Sequence, residues 1–219
     1  MAETRMQGVL FDMDGVILDT EKIWAECWRE LGMVWQLPDV MEVCYASIGV
    51  TNEASAEIFN HRYGRIVSYD DFADEMRKLF QVKTRDGIPL KPGVCETLRQ
   101  LHDRGIPMAL ASSTRSGTIR RQLEPVGIYG LFDAVIGGEQ AKRSKPAPDI
   151  FLAAAEALAL PPEACWVVED SYNGVQAGHA AGCRVLMVPD LLMPTEEIRR
   201  LCWAVCEDLP AAARELRFE

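Results

Sequence analysis

Five short apolar runs punctuate this chain, at residues 8–11, 107–111, 134–136, 165–168 and 184–188. Each is too short for a helix and almost continuously apolar, the pattern of strands buried on both faces of a parallel sheet. A sixth run, residues 203–206, is a weaker candidate. Helical patterns lie between most of them. Val94, Leu98 and Leu101 repeat at i, i+4 and i+7. Residues 150–160 are alanine-rich and follow Pro148, which suits a first helical turn. Residues 175–181 predict another short helix. Strand–helix alternation of this kind admits few folds, and it favours a doubly wound α/β domain with a parallel sheet.

One interval breaks the alternation. Between residues 20 and 85 the patterns are helical and no strand is expected. Ile23, Trp24, Cys27, Trp28 and Leu31 fall on one helical face. Further helices are expected at residues 40–46, 52–63 and 70–83, separated by breaks at Leu37-Pro38, Ile48-Gly49 and Gly64. The reading is an α/β core made of residues 1–19 and 86–219, interrupted by an inserted α-helical cap at residues 20–85.

Composition narrows the possible roles. With 219 residues and 48% hydrophobic residues, the chain can bury a sizeable core. Its formal net charge of −10 repels nucleic acid and anionic membranes, so neither is an expected partner. No apolar stretch approaches the ~20 residues of a membrane span. The first residues, Met1 to Gln7, are charged where a secretory signal would be apolar, and a cytoplasmic location is expected. The seven cysteines are scattered, lack zinc-like spacing and read as reduced, mostly buried thiols. His61, His102 and His179 are isolated and suggest surface or packing roles.

In an open parallel sheet, ligands bind beyond the carboxyl ends of the strands. The first run ends in Asp12-Met13-Asp14-Gly15, the second in Ser112-Ser113-Thr114, and the fourth in Glu169-Asp170-Ser171. Ser144-Lys145-Pro146 precedes the alanine-rich helix. If these strands are parallel neighbours, carboxylates, a hydroxyl and an ammonium converge on one rim. With Asp12, Glu169 and Asp170 ionised and Asp14 protonated, that rim carries three negative charges. At ~4 Å and an effective dielectric of ~20, each like-charge pair costs about 4 kcal/mol, so a phosphate dianion would be rejected. One Mg²⁺ together with Lys145 cancels the excess, and oxygen donors suit Mg²⁺ better than zinc.

These four segments, in this order, resemble the four motifs of the haloacid dehalogenase superfamily of phosphatases and phosphomutases. The first is Asp12-Met13-Asp14-Gly15-Val16, and the second is Ser112 after an apolar strand. The third is Lys145 in Lys145-Pro146-Ala147-Pro148-Asp149, and the fourth is Glu169-Asp170-Ser171 followed by Asn173-Gly174. The likeness covers nearly the whole chain and is strongest to the β-phosphoglucomutase-like branch. It implies a Rossmann-like core and a helical cap. It implies that Asp12 is the nucleophile, an ordinary carboxylate with a pKa of about 3.9, and that Asp14 is the general acid and base, its pKa raised by neighbouring charge. Ser112 and Lys145 would contact the transferring phosphoryl group. Mg²⁺ would be held by Asp12, the Asp14 carbonyl and Asp170, with Glu169 ligating directly or through water. Ser113 and the cap loop Gly49, Val50, Thr51 and Asn52 are the expected substrate contacts. Arg77 and Lys78 are expected on a solvated face.

The chain departs from β-phosphoglucomutase at two places. Trp24 stands where that mutase has a histidine, and Asn52 where it has an arginine that grips a second phosphate. Hydrolysis of a small phosphorylated metabolite, a sugar or polyol phosphate, is therefore expected over mutase chemistry. A dehalogenase would not need Asp14 or the acidic pair, and a phosphonate-cleaving relative would need a cap lysine absent from residues 49–52. The rival from another class is a non-catalytic metabolite-binding or regulatory protein on the same fold. The sequence leaves open whether the protein is a monomer or a homo-oligomer.

Overall fold

The computed structural model describes residues 5–48 and 52–218, apart from the Asn52 side chain. The chain separates into two compact units, one formed by Met1–Leu18 and Leu90–Glu219, the other by Asp19–Pro89. The first is built on a six-stranded parallel sheet. Its strands are β1 (Gly8–Phe11), β2 (Met108–Ala111), β3 (Ala134–Ile136), β4 (Cys165–Glu169), β5 (Arg184–Met187) and β6 (Ala204–Val205), ordered β3-β2-β1-β4-β5-β6. This is the Rossmann-like α/β arrangement that the alternation of runs predicted. Every residue of β1, β2 and β4 is buried, which is why those strands read as unbroken apolar runs.

The order places the switch point between β1 and β4. From β1 the chain winds outward through β2 and β3, then returns to β4 on the other side of β1 and winds outward again. Crossovers leave in opposite directions there, opening a crevice at the carboxyl ends of these two strands. The register pairs Phe11 with Val168, so Asp12 follows β1 level with the last residue of β4.

The second unit is helical: α1 (Thr20–Val34), α2 (Val40–Ala46), α3 (Asn52–Tyr63) and α4 (Tyr69–Lys83). Cys27, Trp28 and Leu31 of the expected α1 face are buried, with Ile23 and Trp24 half-buried against the same cluster. Aromatic rings dominate that cluster. Phe59 lies 4.6 Å from Phe72 and 5.2 Å from Tyr63, centroid to centroid, and Trp28 lies 4.8 Å from Phe72. Trp24 packs edge-on against Phe80 at 5.5 Å. Arg77 and Lys78 pair with Asp74 and Glu75 on the exposed side of α4.

The core unit's helices are α5 (Val94–Asp103), α6 (Ser116–Leu123), α7 (Asp149–Ala157), α8 (Tyr172–Ala180), α9 (Glu196–Leu201) and α10 (Leu209–Glu215). Ile150, Phe151, Ala154 and Ala155 of α7 join Leu10, Ala109 and Val167 of the sheet in one core, to which Val175 and Ala177 of α8 add.

Several boundaries differ from the sequence reading. Pro107 has no N–H to donate and lies outside β2, although its carbonyl accepts from the Val9 N–H at 3.0 Å. Helix α7 stops at Ala157 rather than reaching residue 160, because the chain turns through a left-handed Ala159 (φ 54°). Helix α8 begins three residues early, at Tyr172, because the Ser171 hydroxyl accepts from the Gly174 N–H and caps it. Ser68 does the same for α4, whose first residue is Tyr69. Helices α6, α9 and α10 were not anticipated. Among the described residues, no helix is long and apolar enough to cross a membrane.

Candidate active site

Asp12 leaves the sheet with its backbone still in the ladder, its N–H donating to the Val168 carbonyl at 2.9 Å. The chain then folds back on itself. The Ile17 and Leu18 N–H groups return to the Met13 carbonyl, and the Gly15 N–H reaches the Leu18 carbonyl at 2.9 Å. Gly15 turns through a positive φ of 79°, and a Cβ there would overlap the Asp170 carboxylate. The turn that presents Asp14 therefore also lets Asp170 approach the β1 loop.

The acidic pair at the end of β4 is held firmly. Glu169 is 1% exposed, and both of its oxygens are engaged. Oε1 accepts from Lys145 Nζ at 2.7 Å, and Oε2 accepts from the Ser171 N–H at 2.7 Å and its hydroxyl at 2.9 Å. A Cβ on Gly174 would occupy the position of that carboxylate. Lys145, from the loop between β3 and α7, is itself buried. Its ammonium lies 2.5 Å from Asp12 Oδ1, 3.5 Å from the Ala111 carbonyl and 4.9 Å from the Phe151 ring centroid. Lys145 thus ties the ends of β1, β2 and β4 together.

Ser112 follows β2 fully buried, its N–H donating to the Ile136 carbonyl at 3.1 Å. Its hydroxyl donates to Asp14 Oδ2 at 3.2 Å. The Thr114 hydroxyl donates to the same oxygen at 3.1 Å, and the Thr114 N–H donates to Ser112 Oγ at 3.0 Å. Ser113, the expected substrate contact, is exposed, and its carbonyl abuts Gly138. Thr114 was missed: the chain bends at Ser113 and Thr114, and the Thr114 N–H turns back to the Ser112 hydroxyl, which places Thr114 beside Asp14. Gly49, Val50 and Thr51 lie outside the described residues, as does the side chain of Asn52 at the start of α3.

Electrostatics corrects one expectation. Burial is the largest influence on the Asp12 carboxyl and pushes it up. Lys145 pulls it down, Glu169 and Asp14 push it up again, and it comes to about 8 instead of an ordinary Asp value. Burial also works against the Lys145 ammonium, but Asp12 and Glu169 outweigh it and hold Lys145 above its usual range. The protein groups alone therefore resist full ionisation of the nucleophile, and a cation is the natural relief. Oxygens of Asp12, Glu169 and Asp170 lie within 4.8 Å of one another. Fully ionised, these three carboxylates would carry two negative charges beyond what Lys145 offsets. A set of hard oxygen donors with that excess fits a divalent cation such as Mg²⁺.

A family model for haloacid dehalogenase-like hydrolases matches residues 6–182. The chain is 32% identical over 188 residues to the bifunctional riboflavin kinase/FMN phosphatase of Arabidopsis thaliana. That match takes in 84% of this chain and 48% of the relative, so the chain spans about half the length of that protein. It is 31% identical over 181 residues to the phosphorylated carbohydrates phosphatase of Thermotoga maritima, covering 81% of this chain and 82% of that one. Among solved structures it is similar to a haloacid dehalogenase-family hydrolase from Deinococcus radiodurans R1 with bound phosphate and sodium. The TM-score is 0.75 and the identity 29%, covering 92% of this chain and 91% of that one. With a sheet of this order and carboxylates gathered at its switch point, the chain belongs to the haloacid dehalogenase-like hydrolases.

Proposed function

We propose that the protein is a Mg²⁺-dependent phosphatase that hydrolyses a small phosphorylated metabolite, a sugar or polyol phosphate, through phosphorylation of Asp12. The observation that carries this reading is the buried Asp12 carboxylate, 2.5 Å from the Lys145 ammonium and grouped with Glu169 and Asp170. An FMN phosphatase and a phosphorylated carbohydrates phosphatase among the relatives support the ester class, and a phosphate bound in a similar structure supports an anion site.

Asp12 and Asp170, with Glu169 beside them and the Asp14 carbonyl, would hold the Mg²⁺, which when bound supplies the positive charge that admits a phosphate dianion. Asp12 attacks phosphorus, and the bond to the ester oxygen breaks with its electron pair on oxygen. Asp14 gives that oxygen its proton, and the alcohol leaves. Water then attacks the aspartyl phosphate and gives a proton to Asp14. The bond between Asp12 and phosphorus breaks, restoring the carboxylate and releasing phosphate. Lys145 offsets charge on the phosphoryl oxygens, and the Ser112 hydroxyl donates to one of them. Glu169, saturated by Lys145 and Ser171, serves chiefly to aim Lys145. We assign substrate selection to the helical unit, including the segment Gly49 to Asn52.

Phosphate release from a panel of phosphate esters, with and without Mg²⁺, tests this reading. Release that requires Mg²⁺ and disappears in Asp12→Asn supports it, and equal turnover by both proteins defeats it. Isomer formation from a sugar phosphate primed with its bisphosphate, in place of phosphate release, would move the assignment to a phosphomutase.

A further inference from the structure

The turn that carries Asp14 closes largely on itself. The Ile17 and Leu18 N–H groups donate to the Met13 carbonyl at 2.8 and 2.9 Å, and the Gly15 N–H donates to the Leu18 carbonyl at 2.9 Å. These bonds fix the shape of the turn. Its angle to the sheet depends on bonds that leave it. That angle matters, because Gly15 passes so close to Asp170 that a Cβ would overlap the carboxylate.

One such bond comes from Lys91, which follows Leu90, where the chain re-enters the α/β unit. The Lys91 N–H donates to the Ile17 carbonyl at 2.9 Å, and Leu18 and Leu90 form an antiparallel bridge beside it. The Lys91 ammonium lies 2.7 Å from Asp190 Oδ1, with the two side chains 20% and 13% exposed. Asp190 Oδ2 is buried and makes no hydrogen bond, so loss of the ammonium would strand a largely buried carboxylate. Asp190 stands just beyond β5, two residues after Val188, whose N–H donates to the Glu169 carbonyl at 2.7 Å. A path of bonds thus runs from the end of β4 through Val188 and Asp190 to Lys91, and on through Ile17 to the turn at Met13. Every residue on it belongs to the α/β unit.

We propose that Lys91, fastened by Asp190, is the positioning residue for the Met13–Leu18 turn. It sets how far that turn stands from the end of β4, and so where Asp14 lies beside Asp12. Lys91 touches no substrate; it acts through Ile17 and Leu18. Without the ammonium, the segment at Leu90-Lys91 loses its tie to the loop after β5, and the turn opens as a unit while the sheet beneath it stays closed. The catalytic part of this inference rests on the phosphatase reading, because a displaced turn slows a reaction only if one occurs there. At such a site a misplacement of about 1 Å can cost about 10²-fold in rate.

Residue-resolved hydrogen exchange of the full chain, without metal or substrate, reads the brace directly. In Lys91→Met, which keeps the length of the stem and drops the charge, the Gly15, Ile17 and Leu18 amides should exchange about tenfold faster. The Val9 and Asp12 amides, which donate to the Pro107 and Val168 carbonyls, should stay protected. Asp190→Asn should give the same pattern from the other end of the pair, and Lys91→Arg should keep the wild-type protection. With 4-nitrophenyl phosphate and Mg²⁺, the kcat of Lys91→Met should fall about 10- to 10²-fold with no rise in KM, and Lys91→Arg should recover it. Unchanged exchange in the turn, an equal rise at Val9 and Asp12, an open turn with unchanged kcat, or a loss seen only in KM overturns the assignment. A wild type that releases no phosphate defeats the phosphatase reading and the catalytic part of this inference together, whereas failure of the inference alone leaves wild-type turnover intact.

Discussion

Lys145 Nζ sits 2.5 Å from Asp12 Oδ1, a contact between a loop lysine and a strand-end aspartate in which both side chains are 8% exposed. Asp12 and Glu169 are buried carboxylates that share this ammonium, so removing it strands both. Lys145→Ala should lower kcat by about 10²–10³-fold and cost roughly 3–5 kcal/mol of stability. Steady-state rates and urea unfolding of the same preparations check both parts. A variant as stable as the wild type would mean that the carboxylates find other compensation.

Gly174 lies inside α8, where alanine would ordinarily stabilise a helix by roughly 0.5–1 kcal/mol. Here the sign should reverse. The added methyl would take the space of the Glu169 carboxylate, which Lys145 and Ser171 hold in place. Gly174→Ala should lower the urea midpoint and, by displacing Lys145 from the phosphoryl position, reduce kcat by about 10²-fold. An alanine variant more stable than the wild type would show that Glu169 shifts without consequence.

The raised Asp12 carboxyl predicts a pH-dependent response to metal. Its folded value of about 8 lies above its ordinary 3.8. A carboxyl shifted upward by folding costs nothing below the unfolded value. The cost grows as pH rises between the two values and then levels off. Lys145, held above its usual range, stays charged across this window and adds no slope there. The metal-free protein should therefore lose stability between about pH 4 and pH 8 from this group. A divalent cation at Asp12 removes that cost. The rise in Tm on adding Mg²⁺ should accordingly be larger at pH 8 than at pH 5, measured by differential scanning fluorimetry in EDTA-treated protein.

In the helical unit, Phe59 is fully buried and makes ring contacts with Trp28, Tyr63, Tyr69 and Phe72. Phe59→Ala leaves a cavity among aromatic neighbours that cannot easily collapse. It should cost about 3–5 kcal/mol by chemical denaturation. A loss near 1 kcal/mol would indicate that the cluster repacks.

What the sequence made legible follows from what parallel sheets require. Buried strands must be apolar and ligands must lie beyond their carboxyl ends, so Asp12, Ser112 and Glu169 could be placed on one rim before any coordinates. Thr114 was passed over because adjacency pointed to Ser113, whereas the chain bends after β2 and returns Thr114 to the Ser112 hydroxyl. Helix α6 hid because only Ile119 and Leu123 carry its apolar face in an otherwise polar segment. The first turn of α8 hid because Tyr172-Asn173-Gly174 reads as a turn, and only the Ser171 cap makes it helical. The ionisation of Asp12 could not be read at all, since it depends first on how deeply Asp12 itself is buried and then on how close Lys145, Glu169 and Asp14 lie to it.

The adjacency of β1 and β4 has a consequence during synthesis. The two strands are neighbours in space, yet most of the polypeptide is translated between them. A nascent chain that has emerged only through β3 already carries Asp12, Asp14 and Ser112, but it lacks Glu169 and Asp170. The grouping of Asp12 with Glu169 and Asp170 therefore arrives late, when the fourth strand takes its place beside the first. On the proposed reading, in which these carboxylates hold Mg²⁺, ion capture would report that the ribosome has delivered enough of the polypeptide to close the sheet.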